Sequence, residues 1–233
     1  MKSEMAKVLH KVAGVPMVNH VLDAVKTAGI REHIVIVGHQ AESVKDAVGV
    51  DDHVTFVIQQ EQLGTAHAVR QAEPLLKDFQ GDLLVMNGDT PLIRPETIKT
   101  LVSAKRELRA DAVLLTAEVS DPTGYGRVIR SVEGWVMKIV EEAEATPEER
   151  AVREINAGVY VFSMDGLFDV LAKIPKSQKK GEYYLTDLIG VWAAQGRRVG
   201  AVIAENASET LGVDTTKRLE LASRLTQSSS KSR

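Results

Sequence analysis

The stretch "DLLVMNGDTPLI", residues 82–93, decides the fold class of this chain. Residues 83–86 form a short, continuous apolar run, which is typical of a β-strand that is covered on both faces. Gly88 and Pro91 then indicate a sharp turn directly after the strand. A strand that ends in such a turn predicts an open α/β sheet, in which ligands bind beyond the carboxyl ends of the strands.

The sequence on either side of this stretch alternates between strand and helix patterns. In the first helix, Pro16 suits the first turn and Gly29 suits the C-terminal end. Alternating elements with short connections predict a parallel, doubly wound sheet. Strands are predicted at residues 33–38, 54–58 and 111–119, and helices at residues 16–29, 41–49, 65–76 and 95–109.

The pattern changes after residue 120. "GRVIRSV" and "WVMKIVE" are separated by two residues, which predicts a β-hairpin. Further strands are predicted at residues 154–162 and 198–205, and further helices at residues 164–174 and 183–196. This half is interpreted as an antiparallel or mixed extension of the same sheet. We therefore predict one domain over residues 1–225 and a disordered, Ser- and Lys-rich tail over residues 226–233.

The composition excludes several classes of function. The formal net charge is −3, which indicates neither nucleic acid nor a membrane surface as a partner. The chain has no cysteine, so disulfides and thiolate chemistry are excluded. No signal peptide is visible and no apolar run reaches the length of a membrane span. A cytoplasmic protein that does not contact a membrane is expected.

Two stretches at strand ends carry residues suited to binding phosphates and a base. Asp89 follows the strand of residues 82–86, and a carboxylate there, beside Gly88, suits a magnesium ion that carries phosphates. The alternative is a turn or capping aspartate. In "QQEQLGTAHA", residues 59–68, Gln59 and Gln62 offer donor and acceptor together, which matches a nucleobase edge. Thr65 in the same stretch could equally be a helix N-cap.

Four further stretches are weaker signals. Gly124 and Gly126 flank a tyrosine before a strand, and this suits either a tight turn or backbone N–H groups facing a small ligand. Glu141 follows a strand, ahead of a charge run typical of a solvated face. Asn156 and Gly158 interrupt a strand, which suggests a closely approached backbone. "GEYYLTD", residues 181–187, is otherwise a helix start. The six histidines show no convincing metal spacing.

Taken in order, these motifs closely resemble the uridylyltransferase domain of bacterial N-acetylglucosamine-1-phosphate uridylyltransferases, a family of sugar-nucleotide pyrophosphorylases. The resemblance covers Met1 to about Leu221, and "EQLGTAHA" and "GEYYLTD" are its most specific motifs. It implies an α/β fold with a Rossmann-like, doubly wound mixed sheet of the nucleotide-diphospho-sugar transferase type.

The resemblance also implies a reaction and roles for residues. UTP and N-acetylglucosamine 1-phosphate would give UDP-N-acetylglucosamine and pyrophosphate, for cell-wall precursor synthesis, with Mg2+ as cofactor. Lys7 would stabilise the phosphates, and Asp89 and Asp214 would bind the metal. Uracil would be held by Gln59, Gln62, Gly64 and Thr65. The amino sugar and its phosphate would be held by Gly126, Glu141, Asn156, Tyr184 and Thr186.

The sequence departs from the family pattern at several points. The family has proline where this chain has Ala6, and asparagine where it has Asp214. The resemblance places a strand and a glycine-rich loop before Met1, so we expect this chain to lack the first central strand of the sheet. No acetyltransferase activity is expected.

Three alternatives to this enzyme stay open at the level of sequence. The first is a nucleotidyltransferase of other specificity, and the second is an inactive fragment or pseudoenzyme. The third and less favoured one is a glycosyltransferase, since those often use an Asp-x-Asp metal pair and this chain supplies one aspartate at that place. The sequence leaves open whether the chain forms a homo-oligomer.

Overall fold

The structure, a computed structural model, describes residues 5–230. Its ten strands are β1 Lys11–Val12, β2 Val15–Pro16, β3 His33–Val37, β4 Val54–Ile58, β5 Asp82–Met86, β6 Ala112–Glu118, β7 Arg127–Arg130, β8 Val136–Val140, β9 Glu154–Ser163 and β10 Val199–Ile203. Its α-helices are α1 Met17–Thr27, α2 Ala41–Val48, α3 Thr65–Arg70, α4 Glu73–Leu76, α5 Pro95–Glu107, α6 Pro147–Arg150, α7 Leu167–Leu171, α8 Thr186–Ala194 and α9 Thr216–Ser230. Short 3-10 helices lie at Lys7–Leu9 and Ala207–Thr210.

The chain divides into two compact units. Unit 1 comprises Met1–Ile58, Asn87–Lys99 and Asn206–Arg233, and unit 2 comprises Gln59–Met86 and Thr100–Glu205. No helix in the part of the chain that the structure describes is both long enough and apolar enough to cross a membrane.

Unit 1 contains a parallel pair of strands, β3 and β4, as the alternation of strand and helix predicts. α1 buries Met17, Val21 and Val25 on one face. Its chain direction changes after Thr27 through Gly29, whose φ of +93° is accessible to glycine without strain.

Unit 1 also contains a hairpin that the sequence analysis missed. β1 and β2 pair antiparallel through Ala13 and Gly14, both of which have positive φ. Two successive residues of positive φ form the tight turn that matches the twist of a hairpin. Each strand has only two residues, which is too short to produce a periodic pattern.

Unit 2 is built on a six-stranded mixed sheet, which confirms the predicted mixed α/β class. The strand order is β10-β6-β9-β7-β8, and β5 also pairs with β9. β10 runs parallel to β6, whereas β5, β6 and β7 pair antiparallel with β9. The long β9 therefore pairs with β6 along one edge and with both β5 and β7 along its other edge. The predicted hairpin is confirmed as β7 and β8.

The core of unit 2 lies between this sheet and the helices that cover it. Trp192 of α8 and Phe162 of β9 are fully buried, and their rings meet edge to face at 5.7 Å. α8 packs against β8. α8 begins at Thr186, where the "GEYYLTD" stretch ends.

Two predictions from the sequence are wrong, one about a helix and one about the C-terminal tail. The single helix predicted over residues 65–76 is two helices, α3 and α4, because Pro74 has no N–H to continue the hydrogen-bond ladder. The tail predicted to be disordered from residue 226 is helical through Ser230. There the Thr226 hydroxyl donates to the carbonyl of Ala222, four residues earlier, and so stays within the helix. Residues 231–233 lie outside the described part.

Candidate functional site

In unit 1, Lys7 and Asp89 form an ion pair. The Lys7 Nζ lies 2.5 Å from the Asp89 Oδ2, and the Lys7 side chain keeps 47% of its surface exposed while that of Asp89 keeps 15%. Lys7 belongs to the 3-10 helix, and Asp89 follows β5 by three residues. The structure thus brings together two predicted site residues that lie far apart in the sequence.

The turn that holds Asp89 is fixed by neighbouring backbone. The Thr90 hydroxyl donates to the carbonyl of Asn87 at 3.0 Å, which closes the turn. A Cβ on Gly88 would approach the Val8 side chain to 3.2 Å, so glycine allows close packing here. The Asp89 carbonyl accepts from the Val213 N–H at 2.9 Å. This last bond places residue 214 beside the aspartate turn.

The backbone of Asp214 is therefore close to that of Asp89, but its carboxylate has another partner. Its Oδ1 accepts from Arg218 Nη1 at 3.2 Å, and its side chain is 54% exposed. Within residues 5–230 no group of three or more His, Cys, Asp or Glu side chains is placed to hold a metal ion. Two carboxylates are nevertheless a suitable donor set for magnesium, which usually keeps waters and shares one or two carboxylates with substrate phosphates.

Ala6, which stands where the family has proline, makes a backbone hydrogen bond. Its backbone N–H donates to the Gln40 Oε1 at 2.7 Å. Proline has no N–H and could not make this bond. In this chain the residue before Lys7 is thus tied to the start of α2 by a hydrogen bond.

In unit 2, the glutamine loop, defined as residues 59–65, is held by its own side chains and by a second segment. The Gln59 Nε2 donates to the Gly64 carbonyl at 3.2 Å and lies 2.9 Å from the His67 Nδ1. Gly64 has a φ of +105°, and a Cβ there would lie 2.6 Å from the Tyr183 carbonyl oxygen. Only glycine fits this position. Gln62 is exposed.

Backbone bonds join the glutamine loop to the "GEYYLTD" stretch. The Tyr183 N–H donates to the Leu63 carbonyl at 2.7 Å, and the Ala66 N–H donates to the Tyr183 carbonyl at 3.0 Å. The Thr65 hydroxyl accepts from the Leu185 N–H at 2.9 Å. The alternative that Thr65 is a helix N-cap is wrong, because the cap residue of α3 is Gly64 and the Thr65 hydroxyl serves the other segment.

Glu141 is the centre of a third group of predicted residues, also in unit 2. Its Oε1 accepts from the Thr186 hydroxyl at 2.8 Å. A Cβ on Gly126 would lie 3.7 Å from both carboxylate oxygens of Glu141 and 2.9 Å from an Ile139 methyl group. The Asn156 N–H donates to the Gly126 carbonyl at 2.9 Å. Four of the five predicted sugar-site residues therefore lie close together.

The Asn156 amide has partners inside β9. Its Nδ2 donates to the Tyr160 hydroxyl at 2.6 Å, and its Oδ1 accepts from the Gly158 N–H at 3.1 Å. This is where the pairing between β6 and β9 shifts register, between Leu114 and Thr116. The irregular strand predicted from Asn156 and Gly158 is thus confirmed. Each amide atom retains capacity for one more hydrogen bond.

Burial makes this group electrostatically unusual. Burial raises the pKa of Glu141, while the Thr186 hydroxyl acts in the opposite direction. Burial raises the pKa of Asp187 to about 6, and the nearby Glu144 and Glu141 carboxylates add to the effect. Burial also raises the pKa of Tyr184. A concentration of acidic groups with raised pKa values is typical of functional sites.

Three residues of unit 2 escape the sequence analysis. His67 touches Gln59, the Tyr183 ring lies over His67 with ring centroids 6.5 Å apart, and Asp187 lies beside the Glu141 group. His67 and Asp187 both stand within quoted motifs, but on predicted helices, where a polar side chain is by default solvated. Only their contacts in three dimensions single them out.

Comparison with known proteins gives the family. Residues 2–210 match the family model described as nucleotidyl transferase. This chain belongs to the nucleotidyl transferase family. Because the match covers most of the chain, it includes Lys7, both groups of unit 2 and the aspartate turn, and leaves out Asp214.

The curated relatives of this nucleotidyl transferase are longer than the chain. The bifunctional protein GlmU of Acetivibrio thermocellus is 44% identical over 228 residues, which is 98% of this chain and 49% of that protein. The bifunctional protein GlmU of Exiguobacterium sibiricum is 47% identical over 92% of this chain and 47% of that protein. The chain spans about half the length of the curated relatives it matches.

A solved structure agrees on the fold. The crystal structure of apo UDP-glucose pyrophosphorylase superposes with a TM-score of 0.77, covers 97% of this chain and 91% of that one, and is 17% identical. The likeness confirms the nucleotide-diphospho-sugar transferase type of fold predicted from the motifs.

Proposed function

We propose that this nucleotidyl transferase forms UDP-N-acetylglucosamine and pyrophosphate from UTP and N-acetylglucosamine 1-phosphate. An oxygen of the sugar phosphate attacks the α-phosphorus of UTP, and the bond from that phosphorus to pyrophosphate breaks. The reaction needs no covalent intermediate on the protein. It requires positioning and neutralisation of negative charge, and lysine, carboxylate and amide side chains are suited to these tasks.

The Lys7–Asp89 ion pair is the observation that carries the proposal. A lysine held 2.5 Å from a carboxylate, and still half exposed, has a charge available for phosphate oxygens. As substrate phosphates arrive, Lys7 can donate to them, while the Asp89 carboxylate becomes available as a metal ligand. Asp89 and Asp214 would hold Mg2+, which supplies additional neutralisation of phosphate charge when bound.

The groups of unit 2 would bind the two organic parts of the substrates. Gln59 and Gln62 would contact uracil, and the backbone of Gly64 and Thr65 would shape its pocket. Glu141 would accept hydrogen bonds from sugar hydroxyls beside Gly126, and Asn156 would use its remaining capacity for the acetamido group. These assignments rest on the motif resemblance and on the contacts described above.

Tyr184 and Thr186 take different places in this proposal. Thr186 is buried and donates to Glu141, so we assign it the task of orienting that carboxylate. Tyr184 is only partly buried and stays a candidate for the sugar phosphate. The proposed substrates are cytoplasmic metabolites, so a cytoplasmic location is part of the proposal, with no nucleic acid or membrane as a partner.

A substrate panel tests the proposal. Pyrophosphate release is measured with each of UTP, CTP, ATP and GTP, and with the 1-phosphates of N-acetylglucosamine, glucose and galactosamine. The expected result is release that requires UTP, N-acetylglucosamine 1-phosphate and Mg2+ together. Preference for another base or sugar would instead assign the chain to a nucleotidyltransferase of that specificity.

The panel is run on this chain and on a version extended by the upstream strand and glycine-rich loop that the resemblance implies. Activity in the extended version alone would support the substrates proposed here and assign part of phosphate binding to the added segment. Inactivity of both versions would favour a pseudoenzyme.

A further inference from the structure

The orientation of the Gln59 amide is determined by its surroundings. A backbone carbonyl can only accept a hydrogen bond, so the Gln59 atom that lies 3.2 Å from the Gly64 oxygen must be the amide nitrogen. The same nitrogen lies 2.9 Å from the His67 Nδ1. Its two hydrogens therefore have two partners. Within the described residues no hydrogen bond is recorded to the Gln59 Oε1, which leaves that oxygen for a ligand.

The shorter of two amide contacts assigns the tautomer of His67. A nitrogen that receives an amide N–H must present a lone pair, so Nδ1 carries no proton and Nε2 does. The Gln71 amide nitrogen lies 3.2 Å from this Nε2 and 3.0 Å from the His67 carbonyl. A neutral imidazole accepts at one nitrogen only, so the shorter contact with Gln59 is the hydrogen bond, and Gln71 donates to the carbonyl.

The ring of His67 is also held in place by packing. The Tyr183 ring stacks against it at an interplanar angle of 29°, with the ring centroids 6.5 Å apart. Tyr183 is in turn bonded through its backbone to Leu63 and Ala66, on either side of Gly64. Neither the histidine ring nor the loop can turn without breaking several of these contacts.

We propose that His67 is a specificity-determining positioning residue that turns the carbonyl oxygen of Gln59 toward the nucleobase and thereby selects uracil over cytosine. Uracil presents an N3–H donor, which a carbonyl oxygen accepts. Cytosine presents a bare N3 acceptor and an exocyclic amine, so the same oxygen would face a lone pair. This inference rests on the proposed function, because it assumes that Gln59 contacts the base of a pyrimidine nucleotide.

Three substitutions at residue 67 test the inference. His67→Asn places an amide oxygen where Nδ1 lies, and His67→Gln places its amide where Nε2 lies. His67→Ala removes both. The readout is the ratio of kcat/KM for UTP to kcat/KM for CTP, or the ratio of dissociation constants where a variant binds without turnover. His53→Ala, at an exposed histidine of unit 1, is the matched control.

The expected result separates the variants. His67→Ala and His67→Gln reduce the UTP-to-CTP ratio at least about tenfold, because only the longer contact with the Gly64 carbonyl then opposes a flip of the Gln59 amide that would let it donate to cytosine. His67→Asn and His53→Ala keep the ratio within about threefold of the unsubstituted chain. A ratio unchanged in His67→Ala, or lost equally in His67→Asn, would overturn the inference.

A second measurement does not depend on activity. The 15N chemical shifts of the histidine ring nitrogens in the intact chain report which nitrogen of His67 carries the proton. A proton on Nε2 supports the proposed orientation of Gln59, and a proton on Nδ1 refutes it. If the chain prefers no uridine nucleotide while Nε2 carries the proton, the proposed function fails but the contact between His67 and Gln59 stands.

Discussion

The neighbouring sequence alone does not reveal the functional roles of Lys7 and Asp89. A single lysine is most often a solvated surface residue, and an aspartate before Thr-Pro is common turn chemistry. The motif resemblance implies their roles, and the structure adds their 2.5 Å contact. Asp187 could not be predicted, because its pKa is raised by burial and by the carboxylates of Glu144 and Glu141, which lie far away in the sequence. His67 could not be predicted either, because its contact with the nearby Gln59 depends on how the loop between them folds.

Replacing Lys7 with alanine tests the charge that we assign to phosphate stabilisation. Lys7→Ala should lower kcat for pyrophosphate release by about 10²–10³-fold, the usual effect of removing one group that stabilises developing charge. The free energy of unfolding should change by at most about 1 kcal/mol, since a half-exposed ion pair contributes little. Lys45→Ala, at a partly exposed helix lysine paired with Glu42, is the control and should leave both quantities nearly unchanged.

The raised pKa of Asp187 predicts a pH dependence of stability. The folded pKa of about 6 is above the ordinary value of 3.8, so the folded state holds the proton more tightly and stability falls as pH rises through this window. Asp187→Asn should therefore raise the free energy of unfolding at pH 8 by about 1 kcal/mol, a figure reduced for the screening of a half-buried group. At pH 4 the gain should vanish.

Urea denaturation at pH 4, 6 and 8 measures this effect. Asp46→Asn, at an exposed position of α2, controls for the loss of one negative charge. A gain in stability that is the same at all three pH values would mean that the carboxylate of Asp187 is not destabilised by its surroundings.

At the scale of elements, strands were predicted better than helix ends and turns. β3, β4, β5 and β9 are rich in apolar residues, so they could be predicted from sequence within a residue or two. The break between α3 and α4 depends on Pro74, which the helical pattern of apolar residues conceals. The β1–β2 hairpin depends on positive φ at Ala13. Residues other than glycine seldom have positive φ, so the sequence does not indicate this turn.

The glutamine loop gives the sharpest prediction at this scale. Gly64→Ala should destabilise the chain by more than Gly134→Ala, although both glycines have positive φ. At Gly134 the new Cβ meets nothing within 4 Å, so only the backbone strain of about 1 kcal/mol remains. At Gly64 the Cβ meets backbone atoms of Tyr183, which cannot give way as a flexible side chain can.

Thermal denaturation of both variants measures the difference, and nucleotide binding reports the function of the loop. Gly64→Ala should also weaken UTP binding at least about tenfold, whereas Gly134→Ala should not. Equal losses of stability with unchanged UTP binding would contradict the tight junction between the glutamine loop and Tyr183.

At the scale of the whole molecule, the order of motifs along the chain predicts the family and the mixed α/β class. The sheet order of unit 2 could not be predicted, because β9 pairs with three strands that lie far from one another in the sequence. The division into two discontinuous units has the same cause. It depends on which distant segments pack together, and local patterns of hydrophobicity do not report that.

The core of unit 2 predicts which of the two tryptophans matters for folding. Trp192 is fully buried against Phe162, so Trp192→Ala should lower the free energy of unfolding by about 3–5 kcal/mol through lost burial and the cavity left behind. Trp135 is only partly buried beside Arg198, and Trp135→Ala should cost much less. Urea denaturation followed by circular dichroism compares the two variants without relying on tryptophan fluorescence.

The most direct test of the central claim follows the phosphorus atom that is transferred. UTP labelled with 32P at the α-position is incubated with N-acetylglucosamine 1-phosphate, Mg2+ and either this chain or its extended version, and the products are separated by chromatography. We expect the label to appear in UDP-N-acetylglucosamine and none of it in pyrophosphate. Label that stays in UTP with both proteins, or that is released as UMP, would contradict the claim that this chain is built for uridylyl transfer to a sugar phosphate.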